Sequence, residues 1–137
     1  MPARDIFHHS VKTALQKDGW KITDDPLFIR CVDVELYIDL GASLITAEKT
    51  GQQIAVEVKS FTRSSALSEF HTALGQVLNY RVALECQDPE RILYLAIPTD
   101  AFDTFFQLEF TQMVMQRYQL KLIVCDMKQE VIVIWQN

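Results

Sequence analysis

Glu57 and Lys59 lie two residues apart in "IAVEVKSF", residues 54–61. The alternation of this stretch reads as a strand with Ile54, Val56, Val58 and Ser60 on one face and Ala55, Glu57, Lys59 and Phe61 on the other. Side chains two apart on a strand project from the same face, about 7 Å from each other. A carboxylate there can hold a divalent cation. A lysine beside it can orient a water, deprotonate one when in its amine form, or as an ammonium balance charge on a phosphorane-like transition state. The pair by itself is far more often an ordinary ion pair on a sheet, so its neighbours decide. Asp39, in "YIDLGA", lies 18 residues upstream at the end of a strand, where a second carboxylate can share the cation. Mg²⁺ is held by one or two carboxylates plus waters and substrate phosphate, so two acids and a lysine are sufficient. Gln76 and Tyr80 in "QVLNY" are four apart, hence on one face of the helix that follows, where they make a polar edge.

Other residues compete for the same roles. Glu48, in "TAEK", is an alternative second metal acid, although its position beside a hairpin turn also fits a solvated residue. Asp5 follows "MPAR" and fits a helix N-cap. His8, His9 and His71 have no ligand-like spacing to a Cys or Asp partner, and a surface or packing role accounts for them. Lys49, Arg63 and Arg81 flank the proposed site and could contact phosphates, positioning a backbone without reading bases; ordinary surface charge accounts for them equally well. Phe102, Phe105, Phe106 and Phe110 recur at helical spacing and read as core, or, where exposed, as an interface.

The elements that must position these residues follow from composition and period. The 137 residues suit one domain, and 49% hydrophobic with 23% charged residues describes an ordinary globular chain. A net charge of −5 supplies no overall basic field, so contact with DNA must rest on a local patch or on bound cations. Cys31, Cys86 and Cys125 form no CxxC pair and fit reduced thiols. The N-terminal stretch is too polar for a signal peptide, and no apolar run approaches the roughly 18 residues of a membrane span, so a cytoplasmic protein is expected. Residues 4–18 have helical spacing and end at Gly19; "TDDP" is a turn; "VELYIDL", "LITAEK" and "QIAVEVKS" favour strand, the last two as a hairpin about "TGQ". A serine-capped helix from Ser64 to Cys86 places Leu67, Phe70, Ala73 or Leu74, Val77, Leu78, Val82 and Leu84 along one side. Then come a strand in "RILYLAIP", one helix over residues 99–119 opened by Thr99 or Asp100, and strands in "LKLIVCD" and "EVIVIWQ". This order predicts an α/β fold, a mixed central sheet flanked by helices. A turn centred near Gly51 would set Glu57 opposite Leu44, five positions out of register with Asp39, so a bulge at Gly41-Ala42 is expected to restore the pairing.

Asp39, Glu57, Lys59, Gln76 and Tyr80 together resemble the restriction-endonuclease-like PD-(D/E)xK nuclease superfamily. In it an Asp ends one strand, an acid, any residue and Lys lie on the next, and Gln-x-x-x-Tyr lies on the following helix. No proline precedes Asp39. Superfamily members often offer an acid from the first helix, which gives Asp5 a second reading in the metal shell. From "MPARDIFHHSVKTALQKDGWKITDDP" through "YIDLGA", "AEK", "IAVEVKSF", "ALGQ" and "RILYLAIP" to "EVIVIW", the chain is similar to the XisH family, the fdxN-element excision controlling factors. The resemblance implies a restriction-endonuclease-like fold, a cyanobacterial setting, and control of DNA element excision during heterocyst differentiation. It also implies a partner of the XisI type, and Mg²⁺ or Mn²⁺ as cofactor if the site is used. An even assembly such as a homodimer would suit cutting of both DNA strands. The alternative reading is a non-catalytic accessory protein of site-specific recombination.

Overall fold

Apolar alternation on successive strands gives a sheet that must be covered on both sides, and the helices between the strands supply the cover. The computed structural model describes residues 4–44, 51–62 and 64–137. Their order is α1 (His8–Lys17), β1 (Lys21–Asp24), β2 (Leu27–Cys31), β3 (Val34–Ile38), β4 (Leu40–Leu44), β5 (Gln52–Val58), α2 (Ala66–Gln87), β6 (Ile92–Pro98), α3 (Thr99–Asp103), a 3-10 turn Phe105–Gln107, α4 (Glu109–Tyr118), β7 (Leu122–Asp126) and β8 (Val131–Gln136). Among the described residues a six-stranded sheet runs β1-β4-β5-β6-β7-β8, with β5, β6 and β7 parallel and the outer pairings antiparallel. The sheet is therefore mixed and flanked by helices, as its sequence order predicts. β2 and β3 form a separate two-stranded ribbon.

The period of two along β5 divides the core. Ile54, Val56 and Val58 face α1, joining Val11, Ala14, Leu15 and Trp20. Ala55 faces the other way, into a cluster with Phe70, Ala73 and Val77 of α2, Leu27, Ile29 and Ile38 of the ribbon, and Phe106. β6 and β7 are buried on both faces, which is why their sequences are continuous apolar runs. Ser65 caps α2 by accepting from the Ser68 amide at 3.1 Å.

The expected elements change in four places. The first helix starts at His8 rather than near residue 4, because the Asp5 carboxylate accepts from the Phe7 amide at 2.9 Å and holds a turn there. Asp5 is thus not the N-cap, a position that Phe7 occupies without a side-chain bond. β1 and β2, on either side of the expected "TDDP" turn, carry no long apolar alternation and escape a periodicity reading. "VELYIDL" divides at Asp39 into β3 and β4, which belong to different sheets. The single helix expected over residues 99–119 breaks at Thr104, whose hydroxyl donates back to the Asp100 carbonyl at 2.7 Å, and again at the extended Leu108. The break turns Phe105 and Phe106 onto Phe61 and Phe70. Phe106 is buried and Phe102 and Phe105 are half-buried, whereas Phe110 is exposed. On α2, Leu67 and Val82 are exposed rather than part of the buried stripe, and Tyr80 and Ala83 are buried instead.

Phe70 is fully buried and meets Phe106 edge-on at 5.7 Å. Phe70→Ala is expected to lower unfolding free energy by about 3–5 kcal/mol in urea titration. A loss below about 1 kcal/mol would show that the two helical layers close around the gap.

Candidate functional site

β4 and β5 pair with Leu40 opposite Val56 and Leu44 opposite Gln52, so Asp39, one residue before β4, comes beside Glu57. The expected turn centre was misplaced toward Gly51, and no bulge in this pair is needed. The irregularity lies instead between β1 and β4, at Ile22/Asp24 opposite Gly41 and Ala42. A Cβ on Gly41 would stand 2.9 Å from Asp24 Oδ2 and 3.1 Å from Arg91 Nη1, so that glycine allows a close approach of β1.

Two buried or half-buried carboxylates thus meet at the carboxyl end of β5. The Val58 amide donates to Asp39 Oδ2 at 2.8 Å, and the Asp39 amide donates to Glu57 Oε1 at 3.3 Å. Lys59 Nζ lies 3.8 Å from Glu57 Oε2. Burial pushes the Glu57 carboxyl up to about 8, the neighbouring Asp39 charge adds to the rise, and Lys59 offsets part of it. The Tyr80 hydroxyl is raised as well, by burial first and then by the Glu57 and Asp39 charges. Gln76 Oε1 is buried and has no hydrogen-bond partner.

Asp5, Asp39, Glu57, Lys59, Gln76 and Tyr80 all line one cavity of about 380 Å³. Asp5 reaches it from the turn before α1, but its carboxylate accepts from the Phe7 and Ser60 amides, each at 2.9 Å. Arg4 is held at the same wall by Asp25, whose Oδ1 lies 3.3 Å from Arg4 Nη2 and 2.8 Å from His8 Nε2. His8 is buried in that contact and does not line the cavity. Arg81, a candidate phosphate contact, instead donates to the carbonyls of Tyr118 and Gln119 at the end of α4. Glu48, Lys49 and Arg63 lie outside the described residues.

Several wall residues escape the sequence reading. Glu69 and Thr72 line the cavity with Gln76 and Tyr80, at successive spacings of three, four and four on α2, a signal that was present in the sequence. Tyr37, near the end of β3, lines the cavity as well, and the break at Asp39 hides that proximity from a strand pattern. Arg4, Ile6, Ser60 and Thr62 come from irregular segments, where no period marks them.

The chemistry of the donor set fits a hard divalent cation. Two carboxylates whose mutual repulsion raises a pKa are the arrangement a cation would relieve, and waters or phosphate oxygens complete such a shell. Among the described residues no group of three or more His, Cys, Asp or Glu converges as a ligand cluster, so the protein's share would be this pair.

A mixed α/β protein with an acidic pair and a lysine at the carboxyl end of a parallel strand is the class that fold and site define. The model of the XisH protein family matches residues 1–133, and the chain belongs to the XisH family. It is similar to the crystal structure of an XisH family protein from Nostoc punctiforme at 52% identity, with a TM-score of 0.89, over 97% of this chain and 100% of that one. A fdxN element excision controlling factor protein from Anabaena variabilis is 55% identical, with a TM-score of 0.89, over 98% of this chain and 100% of that one. No curated protein matches.

Because Glu57 titrates above its ordinary value of 4.5, its neutral form is the one that favours folding. That contribution is complete below about 4.5 and is lost as pH rises through about 8. Glu57→Gln should therefore leave the thermal midpoint nearly unchanged at about pH 4.5 and raise it by about 4 °C or more at about pH 8.5. Equal midpoints at the higher pH, followed by circular dichroism, would show that ionised Glu57 is not a cost to the fold.

Proposed function

We propose that this chain is a metal-dependent, endonuclease-like protein that acts on DNA during programmed excision of a DNA element. We read residues 1–137 as one domain of the restriction-endonuclease-like fold, working in the cytoplasm. The observation that carries the proposal is the Asp39–Glu57 pair with Lys59 at one end of a cavity that Gln76 and Tyr80 also line. Its biological setting is supported by similarity to the excision controlling factor from Anabaena variabilis. No helix among the described residues is long and apolar enough to cross a membrane.

In this reading Asp39 and Glu57 hold Mg²⁺ or Mn²⁺, with the two carboxylates kept in place by the Val58 and Asp39 amides. A bound divalent ion would supply Lewis-acid stabilisation of charge on the phosphoryl oxygens. Lys59, as an ammonium beside Glu57, orients the attacking water and balances the negative charge that builds on the phosphoryl group, while Gln76 offers its buried carbonyl oxygen to a donor on the water or substrate. Tyr80, held protonated, serves as a hydrogen-bond donor toward the substrate or the carboxylates. Glu57 must lose its proton to serve as a ligand, so cation binding strengthens with pH up to about 8.

A second reading draws on residues outside the cavity. Leu108, Phe110 and Met113, at and after the start of α4, are 53%, 57% and 61% exposed. Such an apolar face suits an accessory protein that works through a partner of the XisI type, or a homodimer.

Calorimetric titration should show the parent binding Mn²⁺, with affinity rising between about pH 6.5 and pH 8.5 by up to about tenfold per unit, and Glu57→Ala abolishing it. Lys59→Ala should keep Mn²⁺ binding and slow nicking of supercoiled DNA by about 10²–10⁴-fold. A parent that takes up no Mn²⁺ and leaves the DNA whole would remove the nuclease reading. Nicking that appears only when an XisI-type partner is added would favour the second.

A further inference from the structure

The β2–β3 ribbon turns its two faces to different work. Its inner face, Leu27, Ile29 and Ile38, is buried against α2, and the Arg30 amide donates to Gln87 Oε1 at 2.6 Å to fix the ribbon's far end. On the outer face Phe28 and Tyr37 are directly opposed across the two strands, with ring centroids 5.4 Å apart and planes tilted by 53°. They remain 43% and 41% exposed. Tyr37 also lines the candidate cavity, together with Asp39 two residues further along the chain. Ile6, 75% exposed, lines that cavity as well.

We infer that Phe28 and Tyr37 form a stacking platform for unpaired bases, which makes single-stranded DNA the substrate class of the adjoining site. The inference rests on the nuclease reading for its choice of nucleic acid, and its stacking surface stands on separate residues. Charge on the ribbon does not attract phosphates, since Arg30 is opposed by Glu35 with Asp33 close by and the chain carries −5, so binding here must draw on the rings. Aromatic stacking needs no net charge, but it needs a base with a free face, which a paired and stacked duplex does not present. A base seated on Tyr37 leaves an adjacent phosphate within reach of Asp39, Glu57 and Lys59.

The test is fluorescence anisotropy with a labelled oligo(dT) strand and a duplex of the same length, in chelator so that no cleavage occurs. The parent should bind the single strand at least about tenfold more tightly than the duplex. Phe28→Ala and Tyr37→Ala should each weaken single-strand binding by about fivefold to a hundredfold, Tyr37→Phe should retain it, and Tyr118→Ala, which removes an exposed aromatic at the end of α4, should change nothing. Unchanged thermal midpoints in these surface variants would show that the fold is intact. Equal affinity for duplex, no loss in either alanine variant, or tighter binding of oligo(U) RNA would each overturn the proposal. Cleavage is assayed separately with Mn²⁺: binding that follows the expected pattern with no cleavage would remove the nuclease reading and keep the platform, and cleavage with unaltered binding in the variants would do the reverse.

Discussion

Placing two carboxylates side by side in a mostly apolar setting is the constraint around which this structure is arranged. Asp39 and Glu57 meet because β4 and β5 pair in one register, and a slip of one residue would send Glu57 to the α1 side of the sheet. The cost of burying them is lowered by backbone donors, the Val58 amide to Asp39 and the Asp39 amide to Glu57, and by the ammonium of Lys59. The remaining strain is expressed as the high Glu57 pKa. Burial that weakens a group's charge at rest is a common way to prepare it for a partner of opposite charge.

The rest of the fold serves that junction. The pair lies at the carboxyl end of β5, within the parallel part of the sheet, where strands end and connecting segments diverge enough to leave an opening. α2 brings Gln76 and Tyr80 over the opening, the ribbon brings Tyr37, and the turn before α1 brings Asp5. Arg91 secures the opposite end by donating to the Ile54 carbonyl at 2.8 Å and to Asp88 at 2.9 Å. The site is thus held by elements from distant parts of the chain, α2 and the ribbon anchored by their buried faces and the turn before α1 by the bonds that Asp5 accepts from the Phe7 and Ser60 amides.

What could be read in the sequence was whatever repeats. Alternation gave the two faces of β5 correctly, and the continuous runs in β6 and β7 marked strands covered on both sides. The 3.6-residue period placed Gln76 and Tyr80 together, while Ser65 announced the start of α2. The failures lie where tertiary contacts override local pattern. β1 and β2 are short and half exposed, so they show no strong period. Nothing local in "VELYIDL" says that Asp39 separates a ribbon strand from a sheet strand. The helix break at Thr104 is rewarded by the packing of Phe105 and Phe106 against rings from residues 61 and 70, a contact no window of sequence contains. The partners of Asp39 follow from residue type, whereas the register that joins Asp39 to Glu57 is set by the pairing of β4 with β5, which a Gly-containing connection does not fix.

The aromatic residues on the α1 side have a practical meaning. Both tryptophans of the chain, Trp20 and Trp135, lie 5.6 Å apart, Tyr94 meets Trp135 edge-on at 5.1 Å, and the Trp135 indole donates to Asp18 at 3.1 Å. None of the three lines the candidate cavity. Intrinsic tryptophan emission is therefore an optical gauge of how the last strand docks beside the first helix, with close coupling between its two chromophores. It would be a poor reporter of events at Asp39 and Glu57, where the nearby ring chromophores are the tyrosines at 37 and 80.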